Sequence, residues 1–125
     1  MKKKRKVNKE TKAYKKKLAK KELKLQDTIW SQNIKYRDES KCVICGATRL
    51  VQAHHIIPRE IKAFRHLFIN GISLCPRHHR FQLEISAHHN PFAFFVWMMR
   101  NRTDQFNKLV LLNEEKQDET EKKMD

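Results

Sequence analysis

Cys42-Val43-Ile44-Cys45, Ala53-His54-His55-Ile56-Ile57-Pro58 and Asn70-Gly71-Ile72-Ser73-Leu74-Cys75-Pro76-Arg77-His78-His79 follow one another in a single short stretch of the chain. Cys42 and Cys45 form one C-x2-C pair, and thirty residues later Cys75 and His78 form a C-x2-H pair. Zinc prefers a tetrahedral set of thiolates and imidazoles, and two short-spaced pairs let two turns converge on one ion. A lone C-x2-C could be redox-active, but the second pair favours a structural zinc held by Cys42, Cys45, Cys75 and His78. His78 is chosen over His79 because it completes the two-residue gap. Such an ion would contribute on the order of 10 kcal/mol or more to folding, which is large beside the stability of a small domain.

His54, His55, His79 and Asn70 are left over, and they have the makings of a hydrolytic centre. Phosphodiester hydrolysis needs an activated water and a cation on the phosphate oxygens. Leu50 to Ala53 reads as a short strand leading into the histidines, and neighbours on a strand point to opposite faces. One histidine can therefore hold a metal while the next addresses the water. The expectation is a metal-dependent nuclease.

Taken in order, these segments resemble the HNH endonucleases, whose fold is the ββα-metal (His-Me) finger. The three letters correspond to His55, Asn70 and His79, with Asn70 fifteen residues after His55 and His79 nine after Asn70. The resemblance covers about residues 40–86. It implies that His55 is the general base and that His54 and His79 ligate a catalytic divalent ion, Mg2+ or another. It implies that Asn70 pins the loop and orients His55 or, as in some members, touches the metal. The family's zinc half usually ends in Cys-x2-Cys-His, and here His78 takes the last ligand position. Some members place a further ligand one helical turn after the last motif histidine; that position is Leu83, so two protein ligands plus waters are expected, a set suited to magnesium. Ser86-Ala87-His88-His89-Asn90-Pro91-Phe92 is similar to a stretch of some phage HNH and NinG-like recombination proteins. The resemblance thus implies a phage or mobile-element DNA endonuclease, with a packaging or recombination protein as a partner. The competing classes are a zinc-stapled nucleic-acid-binding module without catalysis, and a structural, packaging or recombination partner of a larger machine.

Outside this centre, charge is the main signal. The formal net charge of the 125-residue chain is +14. Residues 1–24 hold 13 Lys/Arg against 2 Glu, so most of the excess lies in an N-terminal arm. Such an arm is an electrostatic footprint for nucleic acid, and Lys2, Lys3, Lys4, Arg5 and Lys6 are its candidate phosphate contacts. Arg59, Arg65, Arg77 and Arg80 flank the centre and suit bidentate phosphate contact. His66 reads as a surface residue, and His88 and His89 as local capping or packing.

The expected architecture is α+β: a small ββα-metal core between N- and C-terminal helices. Residues 1–12 carry too much like charge to fold and read as a disordered arm. Residues 13–112 read as one nuclease domain and 113–125 as a frayed acidic tail. A first helix runs from about Tyr14 to Arg37 or Asp38, with Leu18, Leu25, Ile29, Trp30 and Ile34 as its packed stripe. Ile72 to Leu74 reads as a second strand and Arg77 to Ile85 as a helix. Asn90-Pro91 opens another, with Phe92, Phe95, Val96 and Met99 inward. A last helix begins at Thr103 and points Phe106, Leu109 and Val110 inward. The longest apolar run, Phe92 to Met99, is eight residues, short of the roughly 20 a membrane span needs. Three thiols assigned to metal imply a reducing compartment, the cytoplasm. Lys2 to Val7 also has the form of a nuclear localisation signal, a string that a lysine-rich arm produces by chance.

Overall fold

The computed structural model describes Lys2 and residues 11–124. Lys3, Lys4, Arg5 and Lys6, and with them most of the expected arm, lie outside the described residues. Helix α1 spans Lys12–Arg37. Thr11 caps it, its hydroxyl accepting from the Tyr14 amide at 3.2 Å, which satisfies one orphan donor of the first turn. The helix stops where Glu39 and Ser40 enter the left-handed region at φ 58° and 55°.

Strands β1 (Gln52–His55) and β2 (Gly71–Leu74) pair antiparallel, with Gln52 opposite Leu74 and His55 opposite Gly71. β1 starts two residues later than the apolar pattern suggested. Leu50 has a positive φ of 53°, so the chain is still turning there and both histidines fall inside the strand. A helical turn at Arg77–Phe81 follows β2. It is shorter than the helix expected to Ile85, because the chain is already extended at Gln82. Helices α2 (Pro91–Asn101) and α3 (Thr103–Met124) complete the order. Asn90 caps α2 by accepting from the Ala93 amide at 3.1 Å. This is the small α+β arrangement expected, with helices flanking a two-stranded sheet.

The packing differs from the sequence pattern in three places. Of the α1 stripe, only Trp30 and Ile34 are buried, while Leu18, Leu25 and Ile29 are exposed. The sheet is only four residues long per strand, so it covers just the end of a 26-residue helix. On α2 the buried face is Phe94 and Met98, while Phe92, Phe95 and Met99 are exposed. On α3 Leu109 is buried, but Val110 is 37% exposed. That helix runs on to Met124, through the stretch expected to fray. Its Glu, Lys and Gln residues are good helix formers, and Lys116 and Glu119 pair one turn apart at 3.9 Å. The core is Cys42, Ile56, Ile72, Leu74, Cys75, Ala87, Phe94, Met98 and Leu109.

Asp38, just past α1, ties the pieces together. Its carboxylate is 1% exposed and accepts from Arg37 at 2.9 Å and Arg102 at 2.9 Å, and from the Ser73 amide at 2.9 Å. Burial raises its pKa, but the Arg37 hydrogen bond and charge outweigh that and hold it below the ordinary carboxylate value. A carboxyl depressed on folding stabilises above its unfolded value, near 3.9, and loses that contribution as pH falls through the folded value. Asp38→Asn should therefore cost about 2–3 kcal/mol at pH 7. The gap between variant and parent in urea midpoint should close below about pH 4. A gap that stays constant across that range would show that the ionised carboxylate is not the source.

Candidate functional site

The first ligand set is built by two turns. Gly46 adopts φ +78°, a conformation open to glycine at little cost. Its amide donates to Cys42 O at 2.8 Å, and the Cys42 amide donates to Ala47 O at 2.9 Å, closing the turn. The Val43 amide donates to Ser73 O at 3.1 Å and docks this turn on β2. Cys75 and His78 come from the turn at the end of β2. The ligand atoms of Cys42, Cys45, Cys75 and His78 all lie within 4.8 Å of one another. Cys45 Sγ and Cys75 Sγ are 3.7 Å apart; two sulfurs at 2.3 Å from a tetrahedral ion would be about 3.8 Å apart. His78 Nδ1 lies 3.6 Å from Cys42 Sγ and 3.4 Å from Cys75 Sγ, where the same geometry gives about 3.6 Å. These four residues can hold a metal such as zinc. Burial opposes ionisation of Cys75, but backbone N–H donors led by that of His78 outweigh it and lower the thiol's pKa.

The second set lies across the sheet. His54 and His55 point to opposite faces of β1, as strand geometry requires. His54 meets the rings of His79 at 5.1 Å and His88 at 5.0 Å, with Phe94 behind it at 5.7 Å. Nitrogens of His54, His79 and His88 lie within 4.8 Å of one another. His79 Nδ1 donates to Gln52 Oε1 at 3.0 Å, so its Nε2 carries the lone pair. That Nε2 is 3.1 Å from Nε2 of His88. Two nitrogens at about 2.1 Å from one ion are separated by about 3.0–3.4 Å, depending on geometry. Burial, then the neighbouring imidazoles, pushes the pKa of His54 down to about 3. Burial, then His88 and Arg80, pushes His79 down to about 4. The cluster is thus neutral and rich in lone pairs, a fit for a cation.

His88, read from the sequence as local capping or packing, lies instead beside His79 and His54. One helical turn beyond His79 stands Leu83, which offers no ligand atom and is exposed. The helical turn breaks after Phe81, and the chain doubles back. The Ala87 amide donates to His78 O at 2.8 Å, and the His88 amide donates to His79 O at 3.0 Å. That reversal, not helical periodicity, brings His88 to His79. Three nitrogens, rather than the two expected, are thus close enough together to hold one ion. The signal in the sequence was the His88-His89 pair just before a helix cap.

On the other face, the His55 ring lies flat on Trp30 of α1, with centroids 3.9 Å apart. His55 Nε2 donates to the Arg65 carbonyl at 3.0 Å. A carbonyl only accepts, so Nε2 bears the proton and Nδ1 is the basic nitrogen. Burial lowers the pKa of His55. Asn70 is fully buried. It accepts from the Ile57 amide at 2.7 Å and donates to the carbonyls of Ile57 and Phe64, both at 3.0 Å. It pins the ends of the 57–70 loop, and its contacts reach His55 only through that loop.

His54, His55 and His79 border a cleft of about 790 Å³, together with His88, Lys35, Arg59, Arg80 and Phe95. Arg59 and Arg80 are exposed there. Arg77 is exposed on the turn that carries His78, away from the cleft lining. Arg65, expected to face phosphate, instead directs its guanidinium to Asp27, with contacts of 2.8 and 2.6 Å. His66 also joins Asp27, at 2.7 Å. Lys2 is exposed.

Two outcomes test the ligand sets. If the four residues hold a structural zinc, the parent should purify with one zinc and Cys45→Ala should be zinc-free and largely unfolded, as read by metal analysis and circular dichroism. Zinc-free protein melting like the parent would refute the four-ligand assignment. His88→Ala should weaken binding of Mn2+ by at least the roughly 10–100-fold lost when an outer-shell partner is removed. Leu83→Ala should leave it unchanged. Calorimetric titration of both variants reads the difference.

Residues 42–81 match the family model described as HNH endonuclease. No curated protein and no solved structure matches the chain. Members of that family are generally nucleases. Among the described residues, no helix is long and apolar enough to cross a membrane. The matched span is 40 of the 125 residues and holds the Cys42/Cys45/Cys75/His78 cluster, both strands and three of the four cleft histidines, so the likeness to an HNH endonuclease motif falls on the segment set between α1 and the α2–α3 pair.

Proposed function

We propose that this protein is a metal-dependent endonuclease that hydrolyses phosphodiester bonds in DNA. The observation that carries the reading is a single cleft bordered by one ring-oriented histidine and a separate three-imidazole cluster. In this reading the four-ligand cluster holds a structural zinc. His54, His79 and His88 would hold a divalent cation, which when bound withdraws charge from the phosphate oxygens. Three imidazoles favour a borderline transition ion over the Mg2+ that two ligands suggested.

His55 is the general base. Its Nδ1 takes the proton of the attacking water, while Nε2–H stays on the Arg65 carbonyl, so the ring keeps its orientation as it becomes charged. Asn70 acts at one remove, holding the loop that carries that carbonyl. Arg59, Arg80 and Lys35 border the cleft and suit phosphate contact, which positions the strand without reading bases. The basic arm, Lys2 to Lys6 included, adds affinity rather than rate. The likeness of residues 86–92 to phage HNH and NinG-like recombination proteins supports a phage or mobile-element setting, with a recombination or packaging protein as the partner.

His55→Ala should lower single-turnover cleavage of plasmid DNA by about 10²–10⁴-fold, with zinc content and DNA affinity held. The base works when neutral, and burial lowers its pKa, so the acid limb of the rate should lie below about pH 6.5. Cleavage by His55→Ala at near the parental rate would refute the assignment.

A further inference from the structure

We propose that α1, which lies outside the matched motif, is the frame that fixes the orientation and tautomer of His55, with Trp30 and Asp27 as positioning residues. The proposal rests on the reading of His55 as the base. Three contacts support it. The Trp30 indole is stacked on the imidazole at 3.9 Å with the rings 9° from parallel, which leaves that ring one in-plane orientation to rock about rather than two faces to tilt toward. Trp30 Nε1 donates to the Leu67 carbonyl at 2.9 Å. Asp27, one turn earlier on the same helix, receives the Arg65 guanidinium at 2.8 and 2.6 Å and His66 Nε2 at 2.7 Å. The loop from Arg65 to Leu67 is thereby fastened to α1 at each of its residues. That loop supplies the carbonyl that holds His55 Nε2–H at 3.0 Å. One helix thus supports both the flat face of the ring and the acceptor that decides which nitrogen is basic. The Asp27 carboxyl is held at about 2, chiefly by the Arg65 hydrogen bond, so the clamp is ionised wherever the enzyme would work.

Gly71 shows that this approach is built in. It sits directly opposite His55 in the strand pair. A Cβ there would lie 2.5 Å from Ile34 Cγ1 and 2.7 Å from Trp30 Cζ2. The missing side chain is what lets α1 come close enough to lay Trp30 on His55.

Positioning of this kind acts on rate, since a misplacement of about 1 Å can cost on the order of 100-fold. The full-length protein is assayed on supercoiled plasmid with Mn2+, at saturating enzyme, in single turnover. Trp30→Leu should lower that rate about 10- to 100-fold, while DNA affinity, Mn2+ affinity and zinc content hold. Trp30→Phe, which keeps a flat ring, should recover most of the loss. Asp27→Asn should lower the rate in the same way. In a His55→Ala background, Trp30→Leu should have no further effect, because the two act as one unit. Nitrogen NMR of the parent should show His55 protonated at Nε2, and Asp27→Asn should show a mixture of tautomers. Folded Trp30→Leu and Asp27→Asn proteins that cleave like the parent would overturn the proposal. So would a full further loss in the His55→Ala background, or a parent His55 protonated at Nδ1. If Trp30→Leu does not fold, Asp27→Asn and the NMR of the parent decide. Cleavage by His55→Ala at the parental rate would overturn the base reading instead, and the tautomer measurement would still judge the frame.

Discussion

The structure depends on one buried carboxylate. Asp38 receives Arg37 from the end of α1, the Ser73 amide from β2 and Arg102 from the α2–α3 junction. A two-stranded sheet is not stable alone and needs packing against helices. Here the helices on its two sides come from opposite ends of the chain, and Asp38 is the point where both meet the sheet. Burying a carboxylate is costly unless it is paired and hydrogen-bonded. Asp38 has both kinds of partner, so the cost is offset and the geometry is specified: all three groups must arrive together for the charge to be satisfied.

The sheet, once fixed, works as a partition. β1 sends His54 to the side of the Arg77–Phe81 turn and α2, and His55 to the side of α1. Two environments follow from two adjacent residues. His54 lies among other imidazoles and an aromatic edge, which favours a neutral ligand. His55 lies between an indole face and a backbone carbonyl, which favours a fixed ring with one free nitrogen. The separation needs no special residues beyond the strand's period of two, provided that each face has its own helix.

Much of this was legible in the sequence because it rests on short-range rules. The pairs Cys42/Cys45 and Cys75/His78 sit at spacings set by tight turns, and the four atoms do converge. Asn90 and Pro91 marked a helix start through capping chemistry, and the helix begins there. The order of His55, Asn70 and His79 pointed to the HNH motif. What was not legible depends on how far tertiary partners extend. Leu18 and Leu25 are apolar at helical spacing but have no core opposite them, because each strand is four residues long. Phe92 and Phe95 gave the right periodicity for α2 with the wrong phase, since Phe94 and Met98 are the buried pair. The approach of His88 to His79 was not legible because the expected helix to Ile85 stops at Phe81, where the chain reverses. Arg65 looked like a phosphate contact because its partner, Asp27, is 38 residues away.

His78 and His79 are neighbours on one five-residue turn, yet they belong to different ligand sets. The backbone of that turn also carries the hydrogen bonds that hold Ala87 and His88 in place. An ion seated on the sulfur side would therefore restrict the motion of two imidazoles on the other side, and the reverse holds by reciprocity of coupled equilibria. Through this turn, an ion at one centre would change affinity at the other by the same factor as the reverse. Loss of the first ion would therefore be felt at the second site too, since His78 and His79 depend on the same short turn.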